Sequence, residues 1–175
     1  KGGHPNIKID YDWNDSLHFE TVTITQNQNF KNNPLYRLPL DIDLYYNGKI
    51  ERKKIVAEDS VGKFHFDLPV KPDLVNVDAG KTLLCNKTDN KSKAELIFQY
   101  GHAPLYLDRY EAVSKIGNKY NVNTPEAKLI MKALHDKYSG IRIASINNIG
   151  ELAMNDTNEV KAELKLLATT DSSAD

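Results

Sequence analysis

The hydrophobic period of this chain changes from two residues to about 3.6 near residue 90, and that change constrains the fold most. Apolar residues alternate with polar ones over residues 38–46, whereas over 127–138 they recur every three or four positions. Alternation places apolar side chains on one face of a strand, and the longer period places them along one stripe of a helix. The sequence therefore predicts a β-rich region followed by an α-helical one, an α+β chain in two segments.

The first region, residues 1–87, has about seven short alternating runs separated by turn formers, which predicts an antiparallel β-sandwich of immunoglobulin or fibronectin type. Asn47-Gly48 tolerates the positive φ angles of a type I′ turn and predicts a hairpin that continues into Ile50–Val56. The parity of the apolar residues shifts between Phe19 and Val22, so we expect a bulge near Glu20. Polar turn residues over Asn86–Lys91 mark the boundary.

The second region, residues 88–175, carries helix start and stop signals. Most of the expected helices have recognisable start or stop signals. Two begin with a capping box, one begins at a Thr-Pro pair, and one begins at Pro104 and ends at Gly117. A further short helix is expected over Ile141–Leu152. The expected helices begin near Ser92–Glu95, Pro104, Thr124-Pro125, Ile141 and Asp156–Glu159.

About five helices joined by short turns are typical of stacked helix pairs, so we expect a truncated HEAT/armadillo-like repeat. The third helix carries an apolar stripe that ends at Tyr138, and the polar tail from Thr169 is expected to fray.

Charge and composition exclude several classes of partner. The 175 residues hold 23 Lys and Arg against 24 Asp and Glu, a formal net charge of −1. With no basic face in the sequence, neither a nucleic acid nor a membrane is expected as a partner. No apolar run approaches a membrane span, and no signal peptide is expected, since the first residues carry no apolar stretch. The chain starts without Met, which suggests a fragment, and its compartment stays open.

The residue types that carry chemistry do not form a catalytic pattern. The five histidines, at positions 4, 18, 65, 102 and 135, include no pair four residues apart, so the HExxH zinc motif is absent. His18 and His65 are expected on strands, His102 at a helix C-terminus, and His135 faces away from its neighbour Asp136. We therefore predict no catalytic, cofactor-binding or metal-binding residue.

Three other features favour structural interpretations. Cys85 follows two leucines and is expected to be a small buried apolar residue. Asp41 and Asp43 share one strand face and could pair as carboxylates, although a solvated face explains them equally well. Gln26 and Gln28 are expected to hold a strand edge or an interdomain contact.

Several segments resemble the region that follows the catalytic domain of M1-family zinc aminopeptidases, through nearly the whole chain to about residue 150. The most specific match is Ala103–Ala112, which resembles the family's A-x-x-x-x-D-R-x-x-A element at the start of its helical region. The other matching segments are His4-Pro5, Gln26–Gln28, Leu38–Ile42, Lys71–Asp78 and Tyr138–Arg142.

The resemblance implies a non-catalytic C-terminal fragment, made of the small sandwich and the start of the helical repeat. Zinc, the general base and the peptide-binding glutamate would belong to the parent enzyme, which removes N-terminal residues from peptides. Its catalytic domain and peptide substrate would be the partners of this region, and no cofactor is expected in the fragment itself. The sandwich would space the repeat from that domain, and the repeat would wall the substrate cavity.

Two structural expectations accompany the resemblance. Arg109 should be partly buried and paired with a carboxylate or carbonyls where helices meet sandwich. The last helix and the Ile141–Leu152 helix should expose apolar surface and favour self-association, with Leu164 and Leu167 in the contact.

An alternative stays open from the residues alone. The chain could be a free-standing β-sandwich module that binds a protein or a glycan, with the helices as a stalk.

Overall fold

A computed structural model of the chain describes residues 3–121, 123–150 and 158–170. Seven strands come first and five described α-helices follow, so the fold class is α+β, as the sequence predicts. The chain divides into two compact units, residues 1–95 and 96–175, which we call the sandwich unit and the helical unit.

The strands of the sandwich unit form two sheets that enclose one apolar core. The four-stranded sheet has the order β5-β2-β1-β7, and the three-stranded sheet has the order β4-β3-β6. Alternate side chains of both sheets, such as Ile9, Ile24 and Ile42, are fully buried in the same cluster. The strands are β1 Asn6–Asn14, β2 Phe19–Gln26, β3 Leu38–Tyr46, β4 Lys49–Ala57, β5 Val61–Asp67, β6 Leu74–Val77 and β7 Asn86–Asp89.

The Asn47-Gly48 turn confirms the predicted hairpin. Both residues have positive φ angles, +49° and +70°, which a type I′ turn requires. Tyr46 and Lys49 pair directly across the turn, and the register then continues unbroken to Leu38 opposite Ala57. The local turn chemistry thereby fixes which face of β3 enters the core.

Two expectations for the strands are wrong. The registers of β2 with β1 and with β5 run without interruption, so Glu20 lies in a regular strand rather than a bulge. Leu17 and His18 instead belong to the turn before β2, where His18 has a φ of +54°. The polar segment Asn86–Lys91 also contains a strand, since β7 pairs parallel with β1.

The helices follow most of their capping signals. In the Ser92–Glu95 capping box, the Ser92 backbone N–H donates to Glu95 Oε2 at 2.7 Å, as predicted. Thr124 Oγ1 accepts from the Ala127 backbone N–H at 3.3 Å, and Gly117 ends its helix with a φ of +83°. The described helices are α1 Lys93–His102, α2 Tyr106–Lys115, α3 Pro125–Ala133, α4 Ser139–Asn147 and α5 Glu159–Thr170.

Three helix boundaries differ from the prediction. The apolar stripe assigned to one helix through Tyr138 is divided, because α3 ends at Ala133 and Tyr138 is the N-cap of α4. The helix expected over Ile141–Leu152 ends at Asn147, and Leu152 lies outside the described residues. The last helix continues through Thr170, whereas fraying was expected from Thr169; the capping residues Asp156 and Thr157 lie outside the described residues.

The helical unit has its own apolar core, and it corrects the assignment of the last helix. Val160 is buried in that core, and Leu164 and Leu167 pack against it, so neither leucine belongs to an outward face. Of the three leucines of α5, Leu166 is the exposed one. Ile143 and Ile146 of α4 are 37% and 43% exposed, in line with the apolar surface expected for the short helix.

Candidate functional site

A cavity of about 580 Å³ lies in the helical unit. Its walls come from the C-terminal turn of α1 with the residues that follow it, from Arg109 on α2, and from the C-terminal end of α3. We call it the helical-unit cavity and define it by residues 100–104, Arg109, Lys132 and 135–137. Residues distant in sequence thus meet around one opening.

Two buried polar residues position the start of α2. Gln99 Nε2 donates to the Asp108 carbonyl at 2.8 Å, and the Leu105 backbone N–H donates to Asp108 Oδ2 at 3.2 Å. Asp108 and Gln99 are completely buried. The carboxylate at the third helical position satisfies a backbone N–H that the helix leaves unpaired, so α2 begins at a fixed place beside the end of α1.

The Asp136 carboxylate is the centre of the polar contacts in this cavity. It accepts hydrogen bonds from Arg109 Nε at 2.9 Å, from the Tyr100 hydroxyl at 3.2 Å and from the Tyr138 backbone N–H at 3.1 Å. Arg142 Nη1 donates to the Asp136 carbonyl at 3.0 Å. We call Asp136, Arg109, Tyr100 and Tyr138 the Asp136 cluster; it joins α1, α2 and the connection into α4.

Arg109 is partly buried and paired with a carboxylate, as the sequence predicts. Its side chain is 16% exposed, and the Asp136 side chain is 6% exposed. The guanidinium also donates to the Pro104 carbonyl at 3.4 Å and lies 5.4 Å from the centre of the Tyr138 ring. These partners belong to the helical unit, whereas the sequence placed them where helices meet the sandwich.

The Asp136 charge affects the neighbouring tyrosine. Burial, and then the negative charge and hydrogen bond of Asp136, raise the pKa of Tyr100 to about 12. The phenol therefore stays protonated at neutral pH and remains a hydrogen-bond donor to Asp136.

Two lysines of the cavity wall contact aromatic rings. Lys132 Nζ lies 5.7 Å from the centre of the Tyr100 ring, and Lys137 Nζ lies 5.0 Å from that of Tyr138. Neither lysine has a carboxylate within ion-pair distance among the residues that the structure describes. With Arg109 paired to Asp136, the wall carries a surplus of two positive charges if the histidines are neutral.

Two of the histidines, His102 and His135, line the helical-unit cavity, and each has its own hydrogen-bonding partner. His102 Nδ1 lies 2.9 Å from the Phe98 carbonyl at the C-terminus of α1, as predicted. His135 Nε2 lies 2.8 Å from Glu163 Oε1 on α5, so His135 and Asp136 contact different partners. His65 Nδ1 lies 3.0 Å from Thr21 Oγ1 on the sandwich, and His4 is exposed near the N-terminus.

The two aspartates of β3 share one arginine, which pairs mainly with Asp43. Arg52 Nε and Nη2 donate to the two oxygens of Asp43 at 2.6 and 2.7 Å, and Nη1 lies 3.7 Å from Asp41 Oδ2. Asp43 is 6% exposed, so the prediction of a solvated face is wrong at this position. This bidentate pair leaves no free carboxylate dyad. Cys85 is half-buried and packs against the sandwich core.

Gln26 and Gln28 fix the loop between β2 and β3. Gln26 exchanges two hydrogen bonds with the backbone of Tyr36, at 2.7 and 3.0 Å, and accepts a third from Gln28 Nε2 at 3.1 Å. Gln28 also donates to the Pro34 carbonyl at 3.0 Å and accepts from the Asn6 backbone N–H at 3.3 Å. Both side chains are buried, and their partners lie within the sandwich unit.

Glu20 is a buried carboxyl group that the sequence does not reveal. It is 3% exposed on β2, between Trp13 and Phe66 on the adjacent strands. Burial, and then the negative charge of Glu95, raise the pKa of Glu20 to about 7. Its Oε1 atom has no hydrogen-bond partner among the described residues. A shifted pKa often marks a functional site, but this group faces the sandwich interior.

The described parts of the chain contain no group of three His, Cys, Asp or Glu side chains placed to hold a metal ion. Among the same residues, none of the helices has the length and apolar character needed to span a membrane.

Comparison with known proteins gives a likeness of fold. No protein-family model and no curated protein matches the sequence. Among solved structures, the chain is similar to aminopeptidase A of Legionella pneumophila in complex with aspartic acid, with a TM-score of 0.67 and 13% identity. The match covers all of this chain and 24% of that one, so the chain spans about a quarter of the length of the aminopeptidase it matches.

The sequence did not predict the cavity. The Asp108-Arg109 pair points to α2, but in the sequence Asp136 stands out only as the neighbour of His135. The cavity depends on where α1 and α3 end, and boundaries are the least certain part of sequence interpretation.

Proposed function

We propose that this chain is the non-catalytic C-terminal part of an M1-family zinc aminopeptidase that removes N-terminal residues from peptides. The observation that supports this most is the fold match over the entire chain to one quarter of an aminopeptidase. The resemblance of Ala103–Ala112 to the family's helical element supports the same proposal.

In this proposal the chain has an architectural role. The sandwich spaces the helices from the catalytic domain of the same polypeptide, and the helices form the start of a HEAT-like repeat that walls the substrate cavity. The described residues offer no set of ligands that fits zinc, and the proposal assigns the metal and the general base to the remainder of the polypeptide. No catalytic step is assigned to a residue of this chain.

The size and activity of the native protein test the proposal. An antibody against this chain should recover from the source cells a polypeptide about four times its 19.8 kDa, if the parent resembles the matched structure in length. The recovered protein should contain zinc and release p-nitroaniline from aminoacyl-p-nitroanilides, and a chelator should abolish that activity.

The recombinant 175-residue chain is the matched control, and it should neither bind zinc stoichiometrically nor cleave these substrates. A native protein of 19.8 kDa without peptidase activity would contradict the proposal and favour the free-standing binding module.

A further inference from the structure

The charges around the helical-unit cavity are unequal. Three permanent cations, Arg109, Lys132 and Lys137, line it, and among its wall residues Asp136 is the one carboxylate. Arg109 is committed to Asp136 by two contacts, at 2.9 and 3.4 Å. The two lysines therefore provide a charge of about +2 that has no ion-pair partner among the described residues, on a chain whose formal net charge is −1; outside the wall, the Glu163 carboxylate contacts His135.

The lysines are held beside the cavity without being neutralised. Their ammonium groups lie over the rings of Tyr100 and Tyr138, at 5.7 and 5.0 Å from the ring centres. An exposed cation–π contact is weak, and it leaves the full charge available to an anion. The Tyr100 hydroxyl donates a hydrogen bond to Asp136, and this bond fixes the position of the ring that Lys132 contacts.

The remaining wall is partly apolar. Ala103 is buried, and Pro104 and the ring of Tyr100 complete that side of the cavity. The volume, about 580 Å³, lies in the range of small-molecule sites and leaves room for an organic group beside an anion.

We propose that the helical-unit cavity binds a phosphate dianion, either inorganic phosphate or the phosphate of a small monoester, through Lys132 and Lys137. A phosphate monoester carries a charge of about −1.5 to −2 near pH 7, which matches the surplus of the two lysines, whereas a monocarboxylate leaves one of them uncompensated. The paired Arg109 forms a fixed wall and keeps Asp136 from repelling the ligand. This site is independent of the aminopeptidase function proposed above.

Titration of the whole 175-residue chain tests the site. Inorganic phosphate, phenyl phosphate and acetate are added separately at constant ionic strength, and binding is followed by backbone amide chemical shifts. Both phosphates should saturate and shift signals around residues 100–104 and 132–137, and acetate should bind at least about tenfold more weakly. Tighter binding of phenyl phosphate identifies a monoester site, and equal binding identifies a site for inorganic phosphate.

Paired variants give the decisive comparison. Lys132→Gln with Lys137→Gln should weaken phosphate binding about tenfold or more, because each charge-assisted hydrogen bond contributes substantially to affinity. Lys128→Gln with Lys165→Gln removes the same charge from exposed positions outside the cavity and should leave affinity within about twofold.

Equal weakening in both double variants would show general electrostatic attraction and overturn the proposal, as would non-saturable shifts. Because all of these measurements use the chain alone, their failure leaves the test of the proposed function unaffected.

Discussion

Each of the two units contains a buried polar cluster. The clusters differ in how far their hydrogen-bonding groups and charges are paired within the unit. In the sandwich unit, Gln26 and Gln28 are neutral and bond to each other and to backbone groups of the β2–β3 loop and of Asn6 and Asp59. In the helical unit, the Asp136 cluster is charged and borders an open cavity with two lysines beside it. The glutamine cluster therefore stabilises the local chain conformation, whereas the Asp136 cluster also lies beside a site where we propose that a ligand binds.

The chemistry of the side chains explains this difference. An amide carries both donors and acceptors, so two glutamines can satisfy each other and the backbone without attracting ions. A carboxylate only accepts and a guanidinium only donates, so a charged cluster needs nearly equal numbers of each sign. Where cations outnumber carboxylates, as around Asp136, solvent ions or a ligand must compensate the excess positive charge.

Removal of the Asp136 carboxylate should have the largest effect. Asp136→Ala leaves a half-buried Arg109 without its partner, and the Tyr100 hydroxyl and Tyr138 N–H without their acceptor. We expect a loss of about 3–5 kcal/mol in the free energy of unfolding, measured by urea denaturation followed by helical circular dichroism. The exposed Asp67 serves as the control, and Asp67→Ala should change stability by less than about 0.5 kcal/mol. A loss below about 1 kcal/mol for Asp136→Ala would mean that solvent replaces the carboxylate.

Truncation of Gln26 should have the next largest effect, confined to the sandwich unit. Gln26→Ala leaves both backbone groups of Tyr36 and one amide of Gln28 without their partner. The expected cost is about 2–3 kcal/mol, read from the fluorescence of Trp13, the chain's single tryptophan. Its exposed neighbour Asn27 provides the control, since Asn27→Ala should be nearly neutral. If both variants unfold alike, the amide pair does not organise the loop.

The buried Glu20 should make the sandwich sensitive to pH. Its pKa is raised to about 7 from 4.5, so the folded state keeps a proton that the unfolded state has lost between those values. The contribution of Glu20 to stability is therefore largest near and below pH 4.5 and is lost as pH rises through about 7. Glu20→Gln should add about 1–3 kcal/mol near pH 8 and almost nothing near pH 4.5. Urea titrations of both proteins at the two pH values measure this difference, and a gain independent of pH would assign it to packing instead of charge.

The smallest expected effect compares one glycine from each unit. Gly48 has a φ of +70°, where a side chain is strained, so Gly48→Ala should cost about 1 kcal/mol. Gly101 lies in the last turn of α1 with a negative φ and nothing within 4 Å of an added Cβ. Gly101→Ala should stabilise the helical unit by about 0.5 kcal/mol. The melting temperatures of the two variants test this. The melting temperature should fall for Gly48→Ala and rise for Gly101→Ala.

Local signals predicted the secondary structure better than the sites. The Asn47-Gly48 hairpin, the Ser92–Glu95 capping box and the Gly117 stop depend on a few adjacent residues, and all three occur as expected. The bulge near Glu20 was wrong because the parity of Leu17 was assigned to a strand when that residue lies in the preceding turn. The strand β7 was missed because its four polar residues give no alternation, and only its partner β1 makes it a strand.

The sequence by itself determined the order of strands and helices, because hydrophobic period and capping act over a few residues. Tertiary structure alone decided that Glu20 faces the core and that Asp136 receives Arg109, since these contacts depend on sheet register and on where helices end. Residues 27 and 36 positions apart meet at the helical-unit cavity, as Arg109 and Tyr100 do with Asp136. Such encounters follow from packing of whole elements, which local sequence signals do not encode.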